Sequence, residues 1–312
     1  MSKTKISVIV VFTNEYKYIK KCISSVYKAS SHELEVIIVD NSTKFQKNKA
    51  NIQNYKGLRV IKNSKNLGYG GAVNIGIKHS SGNYILAINP DTIIFPNTID
   101  KLLPYFKKFS KVGLIGCPIY DKNGKLSQSI GYRLPNLISH FYEYNEVFMR
   151  ICVRCSYNPL LHKLAEHKKT SYVISIMGAF LFFQKEALDD IGLFDEQFFL
   201  YRDETDLCNR LQGKNWRVLF VSEGGLTHIG GVSNNFKMIQ ASPFYLRSVY
   251  RYYLKYNSRL YTLAVWLIGF LSALTSVIFI FFYRFRRPSQ NYKLPLFAYI
   301  IKWHILNIKM LI

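Results

Sequence analysis

Acidic residues are missing from the last part of the sequence. The chain of 312 residues carries 42 Lys and Arg against 19 Asp and Glu, which gives a formal net charge of +23. No Asp or Glu follows Glu223, whereas eleven Lys and Arg occur between that residue and Ile312. This excess predicts an anionic partner, which leaves nucleic acid, anionic lipid or a phosphorylated substrate.

The acids that are present are concentrated in the middle of the chain. Eight of the 19 lie between Glu186 and Asp206. A nucleic-acid-binding surface usually interleaves basic and aromatic residues and avoids such a block. A basic, apolar tail beyond an acidic centre instead favours a catalytic domain that rests on an anionic membrane surface, with no nucleic-acid partner.

Cysteines are few, and a long apolar leader is lacking. The five cysteines are an odd number and mostly scattered, which argues against a disulfide framework. The apolar run Ile6 to Phe12 has seven residues, too few for the core of an export signal. We therefore expect the catalytic portion to lie at the cytoplasmic face of the cell membrane, as in bacteria.

Short apolar runs alternate with helical spacing in the first 90 residues. The first run is apolar on both faces, as a buried parallel strand is, and three further short strands are predicted after it, with two helical segments among them. The strands are Ile6 to Phe12, Leu34 to Val39, Leu58 to Ile61 and Tyr84 to Ile88, and the helices are Tyr18 to Tyr27 and Ala72 to Lys78. This order predicts a doubly wound, Rossmann-like α/β fold with its ligands at the carboxyl ends of the strands.

The later part of the chain has a different character. We predict an insertion on the acceptor side at 131–170, a strand-like run from Tyr172 to Phe183 and a helix from Ser233 to Ser258. The 23 residues Tyr261 to Tyr283 carry no charge and are long enough to cross a hydrocarbon layer of ~30 Å.

The chain thus divides into a catalytic domain, 1–235, and a basic helical region, 236–312. The apolar segment 294–312 contains Lys302, His304 and Lys309, so it is expected to lie in the membrane interface or to pair with 261–283. Whether 261–283 spans the membrane or lies in it stays open, because both of its flanks are basic.

Polar side chains follow the first two predicted strands directly. Thr13, Asn14 and Glu15 come after the first strand, and Asp40 comes after the second. A carboxylate at this edge of the sheet can accept a hydrogen bond from a base N–H or a ribose hydroxyl. A turn or a helix cap explains an isolated Asp-Asn-Ser as well.

A glycine-rich segment between Asn66 and Gly76 precedes the second helix. Gly68, Gly70 and Gly71 allow a ligand to approach the backbone, and a helix start favours an anion. The spacing is neither that of a dinucleotide fingerprint nor that of a Walker loop. An ordinary turn is the alternative interpretation.

Candidate metal ligands occur at two further points. Asn89-Pro90-Asp91 follows the fourth strand, where a hard cation bridging two phosphates needs oxygen ligands. Asp91 can supply one, and Asn89 a second, weaker one. His228 lies in a glycine-rich stretch, where it could complete a metal site or contact a diphosphate, although a lone histidine is more often structural.

Adjacent carboxylates near a metal can divide their roles, one fixing geometry and the other removing a proton. Asp203 and Glu204 form such a pair. Structural alternatives exist, because Asp203 could cap a helix and Asp206 could pair with Arg210. Asp206 and Arg210 fit the structural role, and Glu204 has the weakest structural explanation.

In this order and spacing the motifs resemble family 2 glycosyltransferases of the GT-A fold, most closely rhamnosyltransferases of bacterial surface polysaccharides. The resemblance runs from about Ile6 to Ser233. It is carried by Val36-Ile37-Ile38-Val39-Asp40-Asn41-Ser42, the segment Asn66 to Gly76, Asn89-Pro90-Asp91, Gly178-Ala179-Phe180, Gly192-Leu193-Phe194-Asp195-Glu196, the block Tyr201 to Arg210, and His228 with Ser233.

The resemblance implies how the donor binds. Asp40 would contact the nucleotide base, and the segment from Asn66 through Gly68 would lie near the ribose and diphosphate. The polar residues Thr13 to Glu15 and Asn89 would complete the nucleotide-sugar site. Arg202 and Ser233 are candidates for contacts with the acceptor or the diphosphate.

The resemblance also assigns the metal ligands and the base. Asn89-Pro90-Asp91 is similar to the family's Asp-x-Asp element with its first Asp replaced, so Asp91 would be the main ligand of Mg²⁺ or Mn²⁺, with His228 as a second. The acidic pair usually reads Glu-Asp, and here it is reversed. The base assignment therefore stays open between Glu204, which we favour, and Asp203.

The function implied is inverting transfer of a sugar, first of all rhamnose from dTDP-rhamnose, in cell-surface glycan synthesis. The acceptor would be a lipid-linked sugar on polyprenyl diphosphate or a glycan. Other nucleotide sugars, UDP- or GDP-linked, are alternatives. A non-catalytic subunit that binds nucleotide sugar or glycan is a rival from another class, and a nucleic-acid-binding protein is a more distant third.

Overall fold

A computed structural model of the chain divides into two compact units. The first comprises Met1–Tyr132 and Leu161–Gly231, and the second Arg133–Leu160 and Val232–Ile312. The residues that the structure describes are 5–13, 16–42, 55–127, 129–131, 134–145, 148, 167–230, 242–283 and 293–310.

Strands and helices alternate through the first unit, and the second unit is helical where it is described. The strands are β1 (Ile6–Phe12), β2 (Leu34–Asp40), β3 (Leu58–Lys62), β4 (Tyr84–Ile88), β5 (Thr92–Ile94), β6 (Val112–Gly116), β7 (Ile119–Tyr120), β8 (Leu126–Ser127), β9 (Ile130–Gly131), β10 (Ser171–Val173), β11 (Ser175–Ile176), β12 (Phe180–Gln184), β13 (Arg217–Phe220) and β14 (Leu226–His228). The helices are α1 (Tyr16–Lys28), α2 (Gly68–Lys78), α3 (Thr98–Leu102), α4 (Tyr105–Lys108), α5 (Leu137–Tyr144), α6 (Lys185–Ile191), α7 (Asp203–Gly213), α8 (Pro243–Tyr256), α9 (Arg259–Tyr283) and α10 (Lys293–Asn307), with a final 3₁₀ turn at Ile308–Met310.

The main sheet is mixed. Within the described residues it has eight strands in the order β10-β13-β6-β12-β4-β1-β2-β3. Strand β1 pairs in parallel with both β2 and β4, so that Ile6 lies opposite Leu34 and Tyr84. Strand β12 is antiparallel to its neighbours β4 and β6. The predicted fold class, a doubly wound mixed α/β sheet, is confirmed.

Strand β1 is buried on both faces because a helix covers each face. Val8 and Val10 belong to the apolar core that includes α1, whereas Ile9 and Val11 belong to the core that includes α2. This two-sided burial explains why the run from which the strand was predicted is apolar except for the buried Ser7. The four strands predicted in the first 90 residues are confirmed, with ends that differ by no more than one residue.

The single strand predicted from Tyr172 to Phe183 is wrong in its extent. The run contains the three strands β10, β11 and β12, because the backbone leaves the main sheet in the middle to pair with β9. The N–H of Ile174 donates to the carbonyl of Gly131, and that of Met177 donates to the carbonyl of Ser129. As a result Gly178 and Ala179 lie at the start of β12, beside the end of β4.

The helical unit includes a segment that the sequence alone had assigned elsewhere. Helix α5, predicted to be part of an insertion in the first domain, packs against α9 instead. The Oη of Tyr261 accepts a hydrogen bond from the N–H of Leu137 (3.1 Å), and the Oγ of Ser276 donates to the carbonyl of Tyr144 (3.1 Å). Side chains of α9 thus form hydrogen bonds with the backbone ends of α5. Local sequence patterns do not reveal these bonds, because the two helices are far apart in the sequence.

The predicted helix from Ser233 to Ser258 corresponds in its described part to α8, which begins at Pro243, while residues 233–241 lie outside the described residues. Proline at the first helical position needs no hydrogen-bond partner for its nitrogen, which explains this start. Helix α9 follows and, among the described residues, it is the one helix long and apolar enough to cross a membrane. This apolar C-terminal helix is compatible with membrane association.

Candidate active site

The carboxyl ends of β1, β2 and β4 meet at one edge of the sheet. Because these strands are neighbours and parallel, Thr13, Asp40 and the turn after Ile88 all lie at this edge. The N–H of Asn41 donates to the carbonyl of Phe12 (2.8 Å), which joins the ends of β1 and β2. The predicted nucleotide-binding residues that the structure describes are therefore brought together. Asn14, Glu15 and Ser233 lie outside the described residues.

Asp40 offers a buried acceptor at this edge. Its side chain is 1% exposed, and its Oδ1 accepts a hydrogen bond from the N–H of Ser42 (3.0 Å). Its Oδ2 is also buried, and no hydrogen-bond partner for it occurs among the described residues. A buried carboxylate oxygen without a donor carries a large free-energy cost, so a ligand N–H or O–H would satisfy it.

Asn41 holds the glycine-rich segment in place. Its Nδ2 donates to Oδ1 of Asn66 (2.8 Å) and to the carbonyl of Gly68 (3.0 Å), while its Oδ1 accepts from the N–H of Leu67 (2.9 Å). Oδ1 of Asn66 also accepts from the N–H of Gly68 (2.9 Å). These bonds fix the start of α2 beside Asp40, where the positive end of the helix dipole favours an anion.

Gly68 is required by its contact with Phe199, and its replacement gives the first prediction. Its φ is +77°, and a Cβ there would lie 2.2 Å from the carbonyl oxygen of Phe199. Gly124, with φ of +76° and no atom within 4 Å of the added Cβ, is the matched control. We expect Gly124→Ala to lower the free energy of unfolding by about 1–2 kcal/mol and Gly68→Ala by a further ~1–3 kcal/mol.

Chemical denaturation of the two variants measures this difference. Equal losses of stability would mean that the approach of Phe199 does not constrain residue 68.

The turn Asn89-Pro90-Asp91 connects the end of β4 to β5. The N–H of Asn89 donates to the carbonyl of Ala179 (3.4 Å), and the carbonyl of Asn89 accepts from Oγ1 of Thr92 (2.7 Å). The turn is thus held between β12 and its own next strand. Asp91 is placed at the edge of the sheet by these backbone contacts.

Asp91 and His228 form a pair. Strand β14 is antiparallel to β5 with His228 opposite Thr92, and His228 Nε2 lies 3.1 Å from Oδ1 of Asp91. Gly230 leaves room for the carboxylate, because a Cβ at that position would lie 2.0 Å from Oδ2 of Asp91. Two residues separated by 137 positions in the sequence therefore present a carboxylate and an imidazole side by side.

This donor set fits a divalent cation that also binds diphosphate. Among the described residues no group of three or more His, Cys, Asp and Glu side chains is arranged to hold a metal ion. Mg²⁺ is usually bound by one or two carboxylates together with substrate phosphates rather than by a complete protein cage. Imidazole is a suitable further ligand for a first-row metal such as Mn²⁺. Asp91 and His228 could thus supply two protein ligands to such a cation, with phosphate oxygens as the others.

The acidic block forms the start of α7 after two unusual residues. Tyr201 and Arg202 have φ of +68° and +64°, a left-handed conformation that costs about 1–3 kcal/mol for a residue other than glycine. Consecutive residues of this kind are typical of functional sites, where the surrounding structure holds them in place. The turn that Tyr201 and Arg202 make brings the first turn of α7 close to Gly178, where the side chain of Glu204 lies.

Asp206 has the structural role that its spacing indicated. It is fully buried, and its Oδ2 accepts a hydrogen bond from Nε of Arg210 (2.9 Å). Arg210 also donates to the carbonyls of Ile191 and Gly192. The proposed cap by Asp203 does not occur, because Arg202 is the N-cap residue and Asp203 is already the first residue of the helix.

Asp203 and Glu204 differ in their surroundings. Asp203 is 2% exposed, and burial, followed by the charge of Glu204 and a hydrogen bond with it, raises the pKa of Asp203 well above its ordinary value. Glu204 is half-buried and lies against Gly178, where an added Cβ would be 3.9 Å from its Cδ. The pair therefore consists of a neutral carboxyl and a more accessible carboxylate.

Replacing Asp203 with Asn tests this neutral state. The native chain keeps a proton that the unfolded chain releases above the ordinary pKa of Asp, so wild-type stability falls as the pH rises toward the raised pKa. Asn does not titrate. We expect Asp203→Asn to gain stability relative to wild type as the pH rises from the ordinary pKa of Asp toward the raised pKa, by at most ~1.4 kcal/mol per pH unit.

Denaturation curves over this pH range measure the effect, with Asp189→Asn as the exposed control. A stability difference between Asp203→Asn and wild type that does not change with pH would mean that Asp203 is ionised in the fold.

Tyr69 is a site residue that sequence reasoning missed. Its Oη donates to the carbonyl of Gly178 (3.0 Å), and its N–H donates to the carbonyl of Phe199 (3.0 Å). Burial, followed by the charges of Asp203 and Glu204, raises the pKa of Tyr69 well above its usual range. Tyr69 thus links the glycine-rich segment to the acidic pair. Its position inside a glycine-rich motif was the signal available in the sequence.

Most of these residues lie in a part of the chain that matches a known protein family. The model of the family described as "Glycosyl transferase family 2" matches residues 7–192. The match begins in β1 and ends just after α6. It covers Asp40, the glycine-rich segment, Asp91 and Gly178, but not the acidic pair or His228.

A relative with a named activity is similar over much of the chain. It is the N-acetylglucosaminyl-diphospho-decaprenol L-rhamnosyltransferase of Mycobacterium tuberculosis, 24% identical over 222 residues, which are 68% of this chain and 71% of the relative.

Two solved structures share the fold. The mannosyltransferase PcManGT of Pyrobaculum calidifontis, in complex with GDP-Man and Mn²⁺, aligns with a TM-score of 0.53 at 13% identity, covering 98% of this chain and 87% of that one. GalNAc-T7 with UDP, GalNAc and Mn²⁺ aligns with a TM-score of 0.56 at 16% identity, covering 80% of this chain and 48% of that one. The fold of the chain is therefore that of GT-A glycosyltransferases.

Proposed function

The chain belongs to glycosyl transferase family 2, and on that premise we propose that it transfers a sugar from a nucleotide-diphosphate donor with inversion at the anomeric carbon. One observation carries the proposal. Asp40 lies at the carboxyl ends of β1, β2 and β4, the turn after β4 places Asp91 beside His228, and Asn89 of that turn donates to the carbonyl of Ala179, next to Gly178 and Glu204.

Asp40 recognises the base of the donor. Its buried Oδ2 needs a donor group, and a pyrimidine ring N–H supplies one. The segment held by Asn41 places the start of α2 beside it, where the positive end of the helix dipole stabilises the negative charge of phosphate. Thr13 lies at the same edge.

Asp91 and His228 would hold the divalent metal together with the diphosphate of the donor. When bound, Mg²⁺ or Mn²⁺ would neutralise negative charge on the departing nucleoside diphosphate. The residues fit this task because one carboxylate and one imidazole leave the remaining positions to phosphate oxygens.

Glu204 acts as the base. Its carboxylate accepts the proton of the acceptor hydroxyl while that oxygen forms a bond to the anomeric carbon. The bond from the anomeric carbon to the diphosphate oxygen breaks on the opposite side, and the nucleoside diphosphate leaves with the electron pair. Asp203, neutral and bonded to Glu204, positions the base and does not itself accept the proton.

Rhamnose is the sugar that we propose, with dTDP-rhamnose as donor. The similarity to a mycobacterial L-rhamnosyltransferase supports this choice over UDP- and GDP-linked sugars. The same relative acts on a decaprenol-diphosphate acceptor, which supports a lipid-linked acceptor here. Attachment of the protein to the cytoplasmic face of the membrane through its basic helical unit brings it to such an acceptor.

The proposal is tested with detergent-purified protein, Mn²⁺ or Mg²⁺ and a panel of nucleotide sugars. We expect hydrolysis or transfer of one donor, dTDP-rhamnose, and loss of this turnover on chelation. Turnover of a different nucleotide sugar alone would show that the proposed sugar is wrong and would still support glycosyl transfer as the reaction. Binding of a donor without turnover, even with a membrane extract as acceptor, would favour the non-catalytic binding subunit.

A further inference from the structure

Helix α9 carries a continuous apolar stripe that faces away from the protein. The stripe has residues three or four positions apart, and each is at least 38% exposed: Leu263, Leu267, Leu271, Leu274, Ile278 and Phe281. At the helical repeat this spacing places them along one side of the helix for most of its length. We call this surface the leucine stripe. An apolar surface of this length on a soluble chain indicates an interaction site.

The opposite side of α9 faces protein along its whole length and contains polar groups. Thr262, Ser272 and Ser276 are buried there, and α5, α8 and α10 pack in this unit. Gly269, at the middle of the helix, allows side chains of three other helices to approach its backbone. A Cβ on Gly269 would lie 2.6 to 3.1 Å from His140 Nε2, Tyr250 Oη and His304 Nε2.

Charged residues occur at the level of the middle of α9. The ring of His304 lies 5.7 Å from the ring of Trp266 and 6.3 Å from that of Phe270. Lys302, two residues earlier in α10, is exposed. Arg247 is also exposed and lies one turn before Tyr250, whose hydroxyl is 2.6 Å from His304 Nε2.

The positions of Lys302 and Arg247 along the length of α9 decide whether this helix crosses a membrane or lies parallel to it. If α9 crossed the bilayer, Lys302 and Arg247 would lie near the centre of a hydrocarbon layer of ~30 Å. Exposed charges at that depth are strongly unfavourable. If α9 lies parallel to the membrane, the leucine stripe enters the acyl chains while Lys302 and Arg247 stay at the headgroups.

The positive charge of the C-terminal part of the chain indicates what binds to the leucine stripe. After Glu223 the chain has eleven Lys and Arg and no acid. A second copy of this unit would bring two basic surfaces together, and Glu143, the one acid among the unit's described residues, is buried and already accepts a hydrogen bond from Tyr245. Anionic phospholipid complements both the charge and the apolar surface.

We propose that α9 is not a transmembrane helix but lies in the plane of one anionic leaflet, with its leucine stripe in the acyl chains and both ends on the same side. The inference deepens the proposed function, on which it rests only for the side of the membrane that is occupied. It assigns the leucine stripe as the lipid-binding surface.

The depth of three stripe residues tests the orientation. Leu263→Cys, Leu271→Cys and Ile278→Cys in the full chain are each labelled with bimane in vesicles of phosphatidylglycerol and phosphatidylethanolamine. Lipids with nitroxides at several depths quench the label, and the unsubstituted protein gives the background from native cysteines. We expect equal, shallow depths. A helix across the membrane would instead separate residues 263 and 271 by ~12 Å in depth, which would overturn the proposal.

Vesicle partition tests the surface itself. We expect the double variant Leu267→Glu, Leu271→Glu to bind anionic vesicles more than tenfold more weakly than wild type, while Val60→Glu, an exposed apolar residue of β3, binds as wild type does. Unchanged binding of the double variant would overturn the proposal. So would a wild-type dimer that ignores vesicles and dissociates on these substitutions, because a second copy would then occupy the stripe.

Donor hydrolysis without acceptor is measured on the same samples. If the label depths and the vesicle binding are as expected but the wild-type protein does not hydrolyse the donor, only the proposed reaction is contradicted. Active protein with a spanning α9 would count against the membrane inference alone.

Discussion

Replacement of Glu204 with Gln is expected to lower turnover by about 10²- to 10⁴-fold, the contribution of a well-placed general base. The amide keeps the shape of the side chain beside Gly178 and cannot accept the proton of the acceptor hydroxyl. Because Glu204 is not expected to contact the nucleotide, the affinity for the donor should change little. Steady-state kinetics and calorimetric titration with the nucleoside diphosphate measure the two quantities separately.

The neighbouring acid provides the decisive comparison. Since the pKa of Asp203 is raised and its carboxyl is neutral, Asp203→Asn replaces a neutral group with a similar one and should lower turnover far less than Glu204→Gln. Glu186→Gln, on the exposed surface of α6, is the matched control and should behave as wild type. Full activity of Glu204→Gln together with an inactive Asp203→Asn would reverse the assignment of the base.

Replacement of Asp91 with Asn is expected to have the second large effect. The loss of an outer partner of a metal ligand costs about 10–100-fold in metal affinity, so removal of the charge of a direct ligand should cost more than ~100-fold. Mn²⁺ binding in the presence of nucleoside diphosphate, followed by electron paramagnetic resonance, measures this without reliance on turnover. Turnover should fall in parallel, and excess Mn²⁺ should restore part of it.

Two variants control for the loss of charge. Asp189→Asn removes a carboxylate from the exposed surface of α6 and should leave Mn²⁺ binding unchanged. His228→Gln should weaken Mn²⁺ binding less than Asp91→Asn, because it removes a neutral ligand while the carboxylate remains. Wild-type affinity of Asp91→Asn for Mn²⁺ would show that the metal, if it binds, is held elsewhere.

Local patterns were sufficient for the first part of the fold. Strands such as β1 and β4 are buried on both faces, so nearly every position is apolar and the run is visible without knowledge of its partners. The pair Asp206 and Arg210 was also predictable, because residues four apart on a helix are neighbours whatever the rest of the chain does.

Other features depended on contacts between distant segments. The run from Tyr172 to Phe183 is strand-like throughout in sequence, but its middle, β11, pairs with β9 outside the main sheet. Helix α5 reads as part of an insertion, but its backbone is satisfied by Tyr261 and Ser276 of α9. In each case the competing partner lies far along the chain, so its hydrogen bonds leave no periodic signal in the local sequence.

The sequence by itself determined the family, the doubly wound sheet and the residue types of the site, because motifs and apolar runs are local properties. It also determined the basic, acid-free C-terminal part. Only the tertiary structure placed His228 beside Asp91, made Asp203 the buried member of the acidic pair, and set His304 of α10 against Trp266 and Phe270 of α9. These facts depend on burial and on the pairing of β14 with β5 and of α10 with α9, which join segments that no local pattern connects.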